Sequence, residues 1–102
     1  MKYKSYNNFF NNFSNKTRFN IILALWEECL SAGDIAKKLQ EEQSKISHNL
    51  QKLTKCNILN VRKKGKQRIY CLNKQTVIPI LELAKKHVEK YCLDGCKNEN
   101  AK

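Results

Sequence analysis

The sequence predicts a mainly α-helical domain with one small β-hairpin, in the order α-α-α-α-β-β-α. Apolar residues recur at helical spacing up to about residue 56 and again over residues 76–92. Between these parts, residues 58–62 and 68–72 have strand-like composition and flank a turn that contains Gly65. The chain has 102 residues, which is enough for one domain with one modest core.

The first two helices are predicted from their apolar spacing. Over residues 3–13, Tyr and Phe recur at offsets of three, six, seven and ten, which places an aromatic stripe on one side of a helix. Ser14 or Asn15 can cap a second helix, which continues to about Cys29.

A short third helix and a fourth helix are separated by a polar turn at residues 40–42. Ser31 begins the third helix, with Asp34 three residues later in a capping-box-like arrangement. The fourth helix extends to about Cys56, and Asn57 can supply a left-handed C-cap. Its predicted buried stripe consists of Ile46, Leu50 and Leu53. The remainder of its surface is polar or basic.

The last helix is predicted over residues 76–92, with Pro79 in its first turn, where a missing N–H costs nothing. Its apolar residues form a heptad-like seam of Val77, Leu81, Ala84, Val88 and Tyr91. Such a seam either completes the protomer's own core or packs against a second copy. Residues 1–92 are therefore predicted to form one domain, and residues 93–102 a polar tail.

The charge distribution indicates a polyanionic partner. No acidic residue lies between Glu42 and Glu82, and this stretch carries nine Lys or Arg in a chain of net charge +11. Large fields of a single sign repel themselves unless a partner neutralises them. Nucleic acid is the obvious partner, because its phosphates attract Lys and Arg.

Composition bears on the compartment and on the cysteines. No apolar run approaches the ~20 residues that span a bilayer, and the N-terminus lacks a secretory h-region, so a cytoplasmic protein is expected. Five cysteines are an odd number in a chain with a patterned core, which favours reduced thiols over a disulfide framework. Cys29, Cys56 and Cys71 are interpreted as small core residues.

The order of elements describes a winged helix–turn–helix, and the sequence resembles the ArsR/SmtB-type repressors over residues 14–73. The matching segments, as they stand here, are SNKTRFNIIL (14–23), LSAGDIAKKL (30–39), QSKISHNL (43–50) and GKQRIYCLN (65–73). The resemblance implies a homodimer in which the first and last helices (3–13 and 76–92) form the interface and the fourth helix enters the major groove of double-stranded DNA. The turn before that helix departs from the family, which usually has Gly, a hydrophobe and Ser or Thr where this chain has Gln40, Glu41 and Glu42. Glu42 is a poor side-chain cap.

The DNA contacts are predicted on the fourth helix and on the hairpin. Gln43 and Asn49 have amides suited to adenine, and Lys45 has the reach for guanine. The remaining residues of these surfaces are expected to contact bases or phosphates. The full predicted set is Gln43, Ser44, Lys45, Ser47, His48, Asn49, Lys52, Lys55, Lys63, Lys64, Lys66 and Arg68.

No catalytic constellation is evident, so neither an enzyme nor a small-molecule substrate is expected. The primary hypothesis is a sequence-specific, dimeric repressor. The alternative is a winged-helix adaptor or architectural nucleic-acid-binding protein without an effector, because one fold hosts many functions.

An effector site is predicted only at the end of the last helix. Where the family carries metal ligands on the third helix, this chain has Ser31 and Gly33, and the ligands at the start of the last helix are also absent. Cys92 and Cys96 lie four residues apart, so on a continuing helix their thiolates could hold a soft ion such as Cu(I) or As(III). They could equally close a disulfide as a redox switch, or have no role.

Overall fold

The computed structural model describes residues 2–92, which fold into helices packed on a three-stranded antiparallel sheet. The helices are α1 (Tyr3–Ser14), α2 (Lys16–Glu27), α3 (Ala32–Leu39), α4 (Gln43–Lys55) and α5 (Val77–Tyr91). The strands are β1 (Leu30–Ser31), β2 (Leu59–Lys64) and β3 (Gln67–Leu72). Within residues 2–92, no helix is both long and apolar enough to cross a bilayer.

The winged helix–turn–helix prediction is confirmed, but the sheet has one strand more than the sequence predicts. The strand order is β1-β3-β2, because Leu30 pairs with Tyr70 and Ser31 with Ile69 on the open side of the hairpin. A strand of two residues is too short to show an alternating pattern, so only its position beside β3 reveals it.

Side-chain caps and left-handed residues set the ends of the helices. Asn15, rather than Ser14, caps α2, since its Oδ1 accepts a hydrogen bond from the Arg18 backbone N–H at 3.0 Å. Ser31 Oγ accepts from the Asp34 N–H at 3.2 Å and so begins α3. The predicted left-handed residue after α4 is confirmed, with φ of 56° at Asn57. Gln40 has the same φ and turns the chain from α3 into α4.

The core lies between α2, α3, α4 and the base of the hairpin, and α5 joins it only through its first turns. The predicted stripe of α4 is fully buried. Helix α4 contacts α2, α3 and β2, so these helices and the base of the hairpin share one apolar core. The fully buried side chains are Ile21, Ile22, Ile35, Ile46, Leu50, Leu53, Ile58, Leu59 and Val77.

Two cysteines predicted to be reduced core residues are joined in a disulfide. Cys29 directly precedes β1 and Cys71 lies in β3, so the antiparallel register brings them opposite each other, with their Cα atoms 4.5 Å apart. Both are half-buried, whereas Cys56 is a free, exposed thiol at the end of α4. The core interpretation of these three cysteines is therefore wrong. The error arises because the sequence does not predict β1, and without β1 nothing places Cys29 beside Cys71.

Candidate nucleic-acid interface

The first turns of α4 present the predicted base-reading side chains to solvent. Gln43, Ser44, Lys45 and His48 are exposed, while Ile46 on the opposite side is fully buried. Glu42 is the N-cap and makes no side-chain hydrogen bond there, as its poor capping chemistry predicts. The polar end of α4 is therefore open to a ligand that approaches from outside.

Asn49 does not share this exposed face. It is buried, and its Nδ2 donates to the Lys45 carbonyl at 2.9 Å while its Oδ1 accepts from Arg18 Nη1 at 3.4 Å. Its amide thus ties α4 to α2 and is turned away from the position where Gln43 could meet a base. The burial of Asn49 could have been predicted from the sequence, because residue 49 follows Ile46 by three and therefore lies on the buried side of the helix.

The remaining polar residues of α4 in the predicted set are exposed or half-buried. Ser47 is half-buried, and Lys52 and Lys55 are exposed along the second half of the helix. Cations near a helix C-terminus also suit the helix dipole. The exposed lysines of this helix therefore extend its basic surface towards the C-terminal end.

The hairpin holds its cations in an arrangement that is unfavourable without an anion. Lys63 lies directly opposite Arg68 in the β2–β3 register, and Lys64 lies opposite Gln67. Like charges directly opposite each other destabilise a strand pair. Gly65 has φ of +64°, and a Cβ there would meet no atom of the described residues within 4 Å, so backbone conformation rather than space explains the glycine. With Lys66 also exposed, the hairpin tip is a basic wing.

An ion pair links the turn before α4 to the predicted guanine-reading lysine. Lys45 Nζ lies 3.3 Å from Glu41 Oε1, and both side chains are substantially exposed. Exposed pairs of this kind contribute only about 0–1 kcal/mol. Lys45 can therefore exchange Glu41 for a base or phosphate at little energetic cost.

The sequence does not single out Arg18, and it does not indicate that Cys29 pairs with Cys71. Arg18 Nε is buried and has no hydrogen-bond partner among the described residues, and the same side chain holds Asn49. Cys92 follows α5 directly, whereas Cys96 lies outside the described residues. Within residues 2–92, no group of three or more His, Cys, Asp or Glu could hold a metal ion. The thiol site at Cys92 and Cys96 stays a prediction.

Comparison with known proteins adds an independent line of evidence. A helix–turn–helix domain family matches residues 13–62, which contain α2, α3, α4 and the start of β2. The transcriptional activator HlyU of Vibrio cholerae is 30% identical over 70 residues, a segment that covers 69% of this chain and 65% of that protein. The match thus spans slightly less than two thirds of that relative. A structure of V. cholerae HlyU superposes with a TM-score of 0.73 at 26% identity, covering 90% of this chain and 99% of that chain.

Over the matched residues, the chain is similar to a helix–turn–helix domain family and to the transcriptional activator HlyU. Further solved structures share the winged helix–turn–helix fold. Rv0081 of M. tuberculosis has a TM-score of 0.81 at 25% identity, over 90% of this chain and 93% of that one. The homodimeric DNA-binding domain of Mb0332 from Mycobacterium bovis, a possible ArsR-family regulator, is 19% identical over 87% of this chain and 86% of its own, with a TM-score of 0.72, and supports the fold alone.

Proposed function

We propose that this chain is an ArsR-type, sequence-specific regulator of transcription that binds double-stranded DNA as a homodimer in the cytoplasm. The observation that carries the proposal is the coincidence of an exposed polar end of α4 with a basic wing on one winged helix–turn–helix scaffold. No acidic residue lies between Glu42 and Glu82 to oppose phosphates across this surface. Its role is binding, without a catalysed reaction or a small-molecule substrate.

The exposed apolar surface of α1 and α5 supports the homodimer. Phe9 of α1 packs on the core and also lines, with Tyr6 and Phe10, an apolar groove that includes Ile80 of α5. Leu83, one turn beyond Ile80, is 66% exposed. Exposed apolar faces of this extent mark interaction sites. In a homodimer, α1 and α5 of the second copy would pack against α1 and α5 of the first copy across a two-fold axis.

The second half of the α5 seam is also exposed. Val77 and Leu81 are buried, whereas Ala84, Val88 and Tyr91 are exposed. The seam therefore completes the protomer's own core only at its beginning. Its remaining apolar residues are free to pack against a second copy, which supports α5 as part of the dimer interface.

We propose that DNA binding by this protein represses transcription. A small DNA-binding dimer acts most directly by occupying a promoter, so a reporter whose promoter overlaps the bound site should lose expression. The V. cholerae relative is named an activator. A rise in reporter expression from the same overlapping site would replace repression with activation and would leave the DNA-binding proposal intact.

Lys45→Ala should test whether α4 reads sequence. We expect the affinity for the bound site to fall by about 1–3 kcal/mol, with preference relaxed at one base position, because Lys45 is predicted to contact a base edge. Lys64→Ala on the wing is the matched control, and it should weaken all sequences alike. Competition binding with single-base variants of the site measures both effects. Unchanged affinity and unchanged preference in Lys45→Ala would mean that α4 is not the reading helix.

A further inference from the structure

We propose that Cys29 and Cys71 form a reversible thiol–disulfide site that reacts with small anionic disulfides, and that its oxidised form is the form that binds DNA tightly. The second half of this proposal rests on the DNA-binding function proposed above. The two cysteines lie across from each other at the junction of β1 and β3, outside the predicted base-reading and dimer surfaces.

The position of the pair favours reversible chemistry. Their Cα separation of 4.5 Å is that of a non-hydrogen-bonded pair in an antiparallel ladder, where side chains approach most closely. Both residues are half-buried, so a small molecule has access to them from solvent. Cytosolic disulfides are commonly transient or redox-sensing, which fits a bonded pair in a protein that acts on DNA.

A cavity beside the pair indicates the charge of the reactant. Cys29 and Cys71 line it together with the cations Arg62 and Lys74, and among residues 2–92 no acidic side chain contributes to its lining. The carboxylates of a small anionic disulfide would meet these cations as the sulfur atoms approach. Glutathione disulfide has this chemistry and is a suitable probe.

The reaction is a two-step thiol–disulfide exchange. One cysteine thiolate attacks a sulfur of the small disulfide, forms a mixed disulfide and releases one small thiolate. The second cysteine thiolate then attacks the protein sulfur of the mixed disulfide and releases the second small thiolate. The protein loses two electrons and two protons overall, and the small disulfide is reduced to two thiols.

The bond encloses the whole predicted DNA-reading unit. The disulfide closes a loop from residue 29 to residue 71, which contains α3, α4 and most of the hairpin, and therefore every residue from Gln43 to Arg68. Without the bond, β3 is joined to β1 through two residue pairs only. The bond fixes the wing to the segment whose Ser31 caps α3. DNA binding then needs less ordering of the wing, and pre-organisation of this kind increases affinity.

The test is a redox titration of the full chain in glutathione buffers, from fully reduced to fully oxidised. After alkylation of free thiols, peptide mapping identifies the linked cysteines, and thermal unfolding and binding to one fixed duplex are measured in the same samples. We expect the Cys29–Cys71 linkage to form and disappear reversibly. The oxidised form should have a Tm roughly 10 °C higher and an affinity at least about threefold tighter.

Three variants complete the design. Cys29→Ser with Cys71→Ser should keep the Tm and affinity of the reduced protein in every buffer, while Cys56→Ser, which removes an exposed free thiol, should respond as the parent does. Arg62→Gln with Lys74→Gln should remove the preference of the pair for glutathione disulfide over cystamine, a cationic disulfide. If the cysteine pair of the parent chain reacted at equal rates with glutathione disulfide and cystamine, the proposal of an anionic reactant would be overturned.

The possible failures are distinguishable. If Cys29 and Cys71 stay separately alkylated across the titration, or are linked to other cysteines, the site is overturned. If the linkage forms but DNA affinity is equal in both states, the coupling to DNA is overturned. If the linkage and the Tm respond but no duplex is bound in either state, the thiol–disulfide site stands and the DNA-binding proposal fails.

Discussion

Replacing Leu83 with Lys is expected to dissociate the dimer and to lower the affinity for an inverted repeat by roughly 100-fold or more. Leu83 is 66% exposed and lies one helical turn after Ile80, which lines the apolar groove between α1 and α5. A lysine there would have to be desolvated against the partner's apolar face, which is strongly unfavourable. Binding of the first protomer would then no longer hold the second protomer at the other half-site.

Glu82→Lys is the matched control for this variant. It also places a lysine on α5, at a neighbouring exposed residue, but it removes no apolar surface. Both changes make the protein more positive, so charge alone would raise the affinity of each for DNA. Sedimentation velocity and DNA titration on the same samples measure the two effects. A Leu83→Lys protein that stays dimeric would place the interface elsewhere.

Removing two wing cations with Lys63→Ala and Lys64→Ala is expected to weaken DNA binding without harming the fold. The slope of log K against log salt should become shallower by about 0.9 for each phosphate that is no longer neutralised, thus by roughly 2 for one wing and roughly 4 for a dimer. The free energy of unfolding should stay constant or rise by a few tenths of a kcal/mol, because Lys63 no longer faces Arg68.

Lys85→Ala with Lys86→Ala removes the same charge from α5, where both lysines are exposed and line a cavity beside Trp26. Salt titrations of the two double variants separate a local contact from the effect of net charge. We expect a large change in slope for the wing variant and a small one for the α5 variant. Equal changes would show that the basic surface acts only through its total charge.

The features that the sequence predicts correctly are those set by local rules. The four-residue and three-residue steps of Ile46, Leu50 and Leu53 fix the buried side of α4, and all three are fully buried. Asn57 similarly indicates the left-handed residue after α4, because few other residue types adopt positive φ easily. In both cases a local physical rule is sufficient.

Features that depend on tertiary pairing are not predictable in this way. Strand β1 exists because β3 offers it an open edge, and the Cys29–Cys71 bond exists because of β1. The orientation of Asn49 depends on Arg18, a residue 31 positions away, although its spacing from Ile46 already favours the buried side. The basic surface is easier to predict, because the cations are clustered in the sequence itself.

The most direct test of the central claim is selection of binding sites from a random pool of double-stranded DNA by the purified full chain, followed by sequencing. We expect an enriched inverted repeat with half-site centres about one helical turn apart, that is ~34–36 Å or about 10–10.5 base pairs. Salt-sensitive binding without any enriched motif would contradict sequence-specific recognition, and the chain would then be an architectural or adaptor protein with a generic basic surface.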